Sequence, residues 1–110
     1  MNDHLDRALR INRVFQEAMT VEIPLSVVQT FLMVAQNEGK TPKELEALMH
    51  GNRSTTSRHL LDLSENLRSG KPGYGLLVRK RNPGDLRSAI FKVSARGRAV
   101  LEQLKAALDG

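Results

Sequence analysis

The chain has no cysteine, which excludes disulfides, thiolate-held zinc and cysteine nucleophiles. It has no tryptophan, one tyrosine and three phenylalanines, too few flat side chains to stack a single nucleic-acid strand base by base. No apolar run is long enough to cross a membrane, and Asp3 and Asp6 stand where a secretory leader would be basic. The expected location is the cytoplasm. His4, His50 and His59 do not fall at the spacing that puts two imidazoles on one helix face. They read as structural or surface residues, so no metal and no cofactor is expected.

At 110 residues, 40% hydrophobic and 26% charged, the chain has the balance of one folded domain spanning residues 1–110, with room for a single modest core. Charge is distributed unevenly. Residues 1–50 carry 5 basic against 7 acidic groups, a net of −2, whereas residues 51–110 carry 12 against 5, a net of +7. The second half is therefore an electrostatic footprint for a polyanion.

Hydrophobic periodicity supplies the elements. Leu5, Ala8, Ile11, Phe15 and Ala18 recur at three-and-four spacing and predict an amphipathic helix over residues 3–19. Residues 21–23 read as extended, Pro24 suits the first turn of a helix, and Leu25, Val28, Phe31, Leu32 and Ala35 form the apolar face of a second helix ending near Gly39. Thr41, Pro42 and Glu44 make a capping box with proline at the first helical position. The short helix they open buries Leu45, Leu48 and Met49 and ends on a left-handed Gly51. Asn52 or Ser54 starts a fourth helix running to about Ser69, with Thr56, Leu60, Leu63 and Leu67 inward and Arg53, Thr55, Arg58, His59 and Asp62 outward.

Residues 69–75 hold too much glycine and proline for regular structure. They contain Gly70 and Lys71 but lack the Gly-Lys-Ser/Thr order and following helix of a phosphate-binding loop. Residues 76–81 and 88–93 read as strands, joined through Asn82, Pro83, Gly84 and Asp85 by a turn of type II. Ser94 caps a last helix with Val100, Leu101, Leu104 and Leu108 inward. The fold class is mainly α with a small β-hairpin, an α+β winged helix-turn-helix, in which the second helix of the motif lies in a major groove.

Within that layout the cations gather on two elements. Arg53 and Arg58 lie on the recognition helix, and Arg79, Lys80, Arg81, Arg87 and Lys92 on the hairpin. Ser54, Thr55 and Arg58 are short or forked groups suited to base edges, whereas the hairpin charges suit phosphates. A run of charges alone would be read as a solvated surface. Their convergence on two elements that a winged helix sets side by side points to double-stranded DNA.

Residues 75–79 (Gly-Leu-Leu-Val-Arg), Asp85 and Arg87, Val93 and Ser94, and Gly97 resemble the wing of the MarR family of bacterial regulators, and residues 54–58 resemble that family's recognition-helix opening. The resemblance covers roughly residues 24–104. It implies a homodimeric transcriptional regulator, a repressor, whose wing-tip Arg87 enters the minor groove with Asp85 orienting it. The DNA-binding set it suggests is Arg53, Ser54, Thr55, Ser57, Arg58, Lys71, Arg79, Arg81, Asp85 and Arg87. Lys71 belongs to it because the link from Leu67 to Leu76 is longer than the family's and brings a further phosphate contact. The chain ends about fourteen residues into its last helix, so dimerisation is expected to rest on residues 3–19 and 95–108. A small-molecule effector stays open. Two other readings stand beside this one. The first is a winged helix that binds protein in a phage or replication complex, since fold alone fixes no function. An enzyme is the second, and the chain offers no nucleophile-base pair, paired catalytic carboxylates or metal cluster for it.

Overall fold

The computed structural model describes residues 2–50, 53–67 and 69–109, with only the backbone of Arg53. Helices α1 (Asp3–Ala18), α2 (Leu25–Gln36), α3 (Pro42–Met49) and α4 (Arg53–Leu63) precede strands β1 (Leu77–Arg81) and β2 (Ala89–Val93), and helix α5 (Ala95–Asp109) follows. The two strands form one antiparallel hairpin. This is the α+β winged helix-turn-helix that the periodicity predicts.

The core lies where α2, α4 and the hairpin meet. Phe31, Val34, Leu45, Leu63 and Leu76 are wholly buried, and Phe15 reaches down from α1 to meet Phe31 edge-on, ring centroids 6.3 Å apart. The face of α2 read in the sequence is found in part: Phe31 is wholly buried and Val28, Leu32 and Ala35 pack against the core, but Leu25 is 81% exposed, and Val27, Thr30 and Val34 are the other buried residues. The Thr30 hydroxyl donates to the Ser26 carbonyl at 2.8 Å and so is buried without an unpaired polar group.

The capping box at α3 forms as expected: Glu44 N–H donates to Thr41 Oγ1 at 3.2 Å and Thr41 N–H to Glu44 Oε1 at 3.0 Å. The hydrogen bond from Thr41 N–H holds the Glu44 carboxyl below the usual carboxylate range. Leu45 is the buried residue of this short helix, and Leu48 is half exposed. The left-handed residue at its end is His50, φ 53°, a residue type enriched in that region. Gly51 and Asn52, to which the sequence assigned the stop and the restart, lie outside the described residues.

Three local expectations are corrected. Residues 20–23 form a turn closed by Ile23 N–H to the Thr20 carbonyl at 3.2 Å, not an extended segment. The turn through Asn82 and Asp85 is not type II, which would require positive φ at Gly84; Gly84 lacks it. Asn82 Oδ1 instead accepts from Gly84 N–H at 3.0 Å, and this local bond favours the other turn. Helix α4 stops at Leu63, six residues before the expected end. Its last carbonyls are taken by the returning chain: Tyr74 N–H donates to Asp62 O at 2.9 Å and Leu76 N–H to Leu63 O at 2.8 Å, while Leu67 N–H turns to Lys71 O. The apolar period runs on through Leu67, but nonlocal backbone pairing satisfies the same carbonyls. Gly73 permits the close return, because a Cβ there would sit 2.9 Å from Asp62 O.

Residues 39 and 40 add a short third edge to the hairpin, with Gly39 N–H donating to Phe91 O at 2.9 Å and Phe91 N–H to Lys40 O at 3.1 Å. Glu38 locks this junction: Oε1 accepts from Val93 N–H at 2.7 Å and from the Arg98 guanidinium at 3.1 Å. These donors, Val93 first, hold the Glu38 carboxyl below its ordinary value against the opposing effect of burial. The folded state therefore resists protonating Glu38 to a lower pH than the unfolded chain does. The stabilisation is complete above pH ~4.5 and is lost as pH falls through the lower folded value. Glu38→Gln is expected to lose about 1 kcal/mol at pH 7. Its melting temperature should converge on that of the unsubstituted chain as pH falls through the lowered folded value of Glu38, which thermal denaturation from pH ~7 down into the acid range would check.

Candidate nucleic-acid interface

Strand register sorts the hairpin cations. Leu77 pairs with Val93, Arg79 with Phe91 and Arg81 with Ala89, whereas Val78 pairs with Lys92 and Lys80 with Ile90. Side chains alternate along a strand and directly paired residues share a face. Arg79 and Arg81 thus extend the face that carries Leu77, Phe91 and Val93 inward, while Lys80 and Lys92 sit on the opposite one. The five positives that look equivalent in the sequence are divided between two sides.

The inward face of the hairpin, the start of α3 and one side of α4 enclose an open groove of about 650 Å³. Arg79, Arg87, Asp85 and Ser57 line it over an apolar floor that includes Leu60 and Phe91. Ser57 is placed there by Thr56, which is 3% exposed and anchors the helix to the core. Arg79 is steadied by Glu65, Nη1 to Oε2 at 3.6 Å, with both side chains about half exposed.

At the hairpin tip the backbone is tightly specified. Ser88 N–H donates to Asp85 O at 3.1 Å, Asn82 Nδ2 donates to Ser88 Oγ at 3.0 Å, and Asp85 Oδ1 accepts from Arg87 N–H at 3.0 Å. The same Oδ1 lies 3.4 Å from Arg87 Nε, and the Arg87 side chain is 93% exposed. Asp85 thus holds the turn through the Arg87 backbone N–H and lies within ion-pair reach of a guanidinium that stays almost fully solvated.

Helix α4 is less simply arranged. Ser54 and Thr55 are exposed and line, with Arg58 and His59, a second groove on the side of α4 that faces Pro24 and Tyr74. Arg58 is turned along its own helix: Nε donates to Asp62 Oδ1 at 3.0 Å and Nη2 to the Asn66 carbonyl. The structure thus joins Ser57, Arg79, Asp85 and Arg87 around one groove. It sets Ser54, Thr55 and Arg58 across the helix from them. Arg81 is exposed on the wing and Lys71 on the segment returning from α4. The side chain of Arg53 lies outside the described residues.

His59 is half-buried, and burial lowers its pKa while Asp62 opposes the shift. Its Nδ1 lies 3.5 Å from Thr30 Oγ1. Among the described residues no group of three His, Asp or Glu side chains could hold a metal, and no helix is long and apolar enough to cross a membrane. Three residues that shape the site carry no sequence motif: Glu38 behind the wing, Glu65 beside Arg79, and Asp62 on Arg58. Only Asp62 had a local signal, its i, i+4 spacing from Arg58.

No protein-family profile and no curated protein matches the chain. Solved structures do. MarR from E. coli in complex with operator DNA, a mutant form, is similar at TM-score 0.65 and 22% identity, over 96% of this chain and 69% of that one. A transcriptional regulator from Thermotoga maritima is similar at TM-score 0.68 and 19% identity, over 90% and 62%. FabT from Streptococcus pneumoniae in complex with DNA is similar at TM-score 0.62 and 18% identity, over 79% and 55%. Of the lengths of other such structures, a MarR and a MarR-family regulator, the chain spans 66% and 60%. The fold is thus the winged helix of MarR-type regulators, and the expected resemblance is found in the backbone.

Proposed function

We propose that the chain binds double-stranded DNA in a sequence-specific manner as a homodimeric transcriptional regulator, with α4 in the major groove and the hairpin tip in the minor groove, repressing by occlusion of a promoter. The observation that carries this reading is the groove between α4 and the wing, where Ser57, Arg79 and Arg87 converge. Arg79 and Arg87 meet phosphates and groove edges, and Ser57 lies beside them on the helix that enters the major groove. Lys71 and Arg81 extend the phosphate contacts. Arg53, Ser54, Thr55 and Arg58 complete the set on α4, with Arg58 exchanging Asp62 for DNA. Neighbours of the same fold that were solved with DNA support the reading; binding, and no catalytic step, is what this residue set equips the chain to do.

Dimerisation rests on residues 3–19 and 95–108. Helices α1 and α5 pack together, and Leu5, Leu9 and Leu108 remain about half exposed on them, the apolar surface a second copy would cover. Two-fold symmetry would then set the recognition helices about 34–36 Å apart, one turn of duplex.

Selection of bound duplexes from a random pool, with the size of the complex measured, tests the whole reading, because an enriched inverted repeat reports specificity and symmetry together. Arg87→Ala is expected to weaken binding to the selected duplex by about ten-fold, roughly 1.4 kcal/mol. Its thermal stability should not change, since the side chain is almost fully solvated. An affinity untouched by Arg87→Ala would favour a winged helix that docks on protein.

A further inference from the structure

The hairpin tip carries an apolar side chain that solvation does not explain. Because Ser88 N–H closes on Asp85 O at 3.1 Å, Leu86 and Arg87 are the two central residues of that turn and project together. Leu86 is 70% exposed. It borders a shallow cleft at the wing together with Arg81 and Arg87, with Glu65 also in its lining. The side chain therefore stands beside the Arg87 guanidinium at the tip. The bonds from Asp85 and Asn82 that fix the turn leave it little freedom to withdraw.

We propose that Leu86 is a specificity-determining residue that enters the minor groove with Arg87 and selects against G·C pairs there. The inference rests on the duplex-binding reading above. In the minor groove A·T and T·A present only acceptors, whereas G·C adds the guanine 2-amino donor. A leucyl side chain pressed to the groove floor displaces water and offers no acceptor. At A·T it covers sugar walls and acceptors that can be left at the edge of the contact. At G·C it meets a protruding amino group and strands an N–H donor away from water, the costly side of the hydrogen-bond balance. Arg87 supplies attraction to the groove's negative potential, and Leu86 supplies exclusion.

Three alternating copolymer duplexes separate these effects: dA-dT, dG-dC and dI-dC, the last bearing hypoxanthine, which is guanine without the 2-amino group. The dI-dC duplex keeps the major-groove pattern of G·C and the minor-groove pattern of A·T. At low salt the unsubstituted chain is expected to bind dA-dT and dI-dC within about three-fold of each other and dG-dC about ten-fold more weakly. Leu86→Ser, whose hydroxyl can accept from the amino group, should reduce that ten-fold penalty to about three-fold or less while leaving dA-dT affinity nearly unchanged. Leu86 makes no core contact, and a melting curve confirms that the variant is folded. Equal discrimination by the variant and the unsubstituted chain overturns the role of Leu86 while duplex binding stands. Weak binding to dI-dC matching that to dG-dC also overturns it, because the preference would then be read in the major groove. Failure of the unsubstituted chain to bind dA-dT and dI-dC overturns the role of Leu86, and the selected duplex decides separately whether the chain binds DNA.

Discussion

Gly97→Ala is expected to destabilise the chain by about 3 kcal/mol or more, lowering the melting temperature by roughly 10–20 °C. A Cβ at Gly97 would collide with the backbone oxygen of Leu76 and lie 2.7 Å from Val93 Cγ1. Neither neighbour can yield cheaply. Leu76 O accepts from Ser94 N–H at 3.0 Å, and Ser94 Oγ in turn caps α5 by accepting from Gly97 N–H at 3.0 Å while donating to the Gly75 carbonyl at 2.6 Å. Moving Leu76 opens the joint between β1 and α5. The better helix propensity of alanine returns at most about 1 kcal/mol. Gly84→Ala is the matched control, since its Cβ would meet only Asn82 Oδ1 at 3.6 Å and its φ is not in the left-handed region. Urea and thermal denaturation of the two variants should differ sharply. A Gly97→Ala protein melting within a few degrees of the unsubstituted chain would refute the close packing of α5 against Leu76 and Val93.

That joint also marks what the sequence can and cannot convey. Gly97 is noticed beforehand only through resemblance to a wing pattern; its reason, the approach of a carbonyl from a segment twenty residues upstream, is a tertiary fact. Local chemistry reads well where residues satisfy one another within a turn. The Thr41 and Glu44 capping box, the Ser94 cap and the Asp85 turn are bonds between near neighbours, so residue type and spacing suffice. That two strands flank a turn was equally visible.

The misreadings share a different cause. Helix α2 is apolar over most of its surface, and only the surrounding core decides that burial is deepest at Val27, Phe31 and Val34 and that Leu25 stays in solvent. The α4 helix has apolar residues beyond Leu63, but the return of residues 74–76 takes its carbonyls. At the proposed site, the acidic partners are what spacing cannot supply. Glu65 reaches Arg79 from the far side of a fourteen-residue span, and Glu38 reaches Val93 and Arg98 from the end of α2. The cations that would bind DNA are legible as a group in the sequence; their division between the groove, the far side of α4 and the outer face of the wing is not.

That division shapes the second large effect. If each subunit replaces about five cations on DNA phosphates, the logarithm of the affinity should fall with the logarithm of salt at a slope of roughly −4 to −5 per subunit. Between 50 and 200 mM salt this is a loss of about 500-fold per subunit. The acidic partners determine which residues supply the slope. Arg81 and Lys71 form no ion pair among the described residues, so Arg81→Ala or Lys71→Ala should lower the slope's magnitude by about 1 each. Arg58 is different. On leaving Asp62 for a phosphate it exposes a carboxylate that gathers a cation from solution, offsetting the counterion released from DNA. Arg58→Ala is therefore expected to weaken binding at every salt concentration while changing the slope by clearly less than 1. Titrations at four salt concentrations with the selected duplex would resolve these slopes. A nearly flat dependence for the unsubstituted chain is incompatible with a phosphate-bound wing, and equal slope changes for Arg58 and Arg81 would mean that the Asp62 pair does not persist in the free protein.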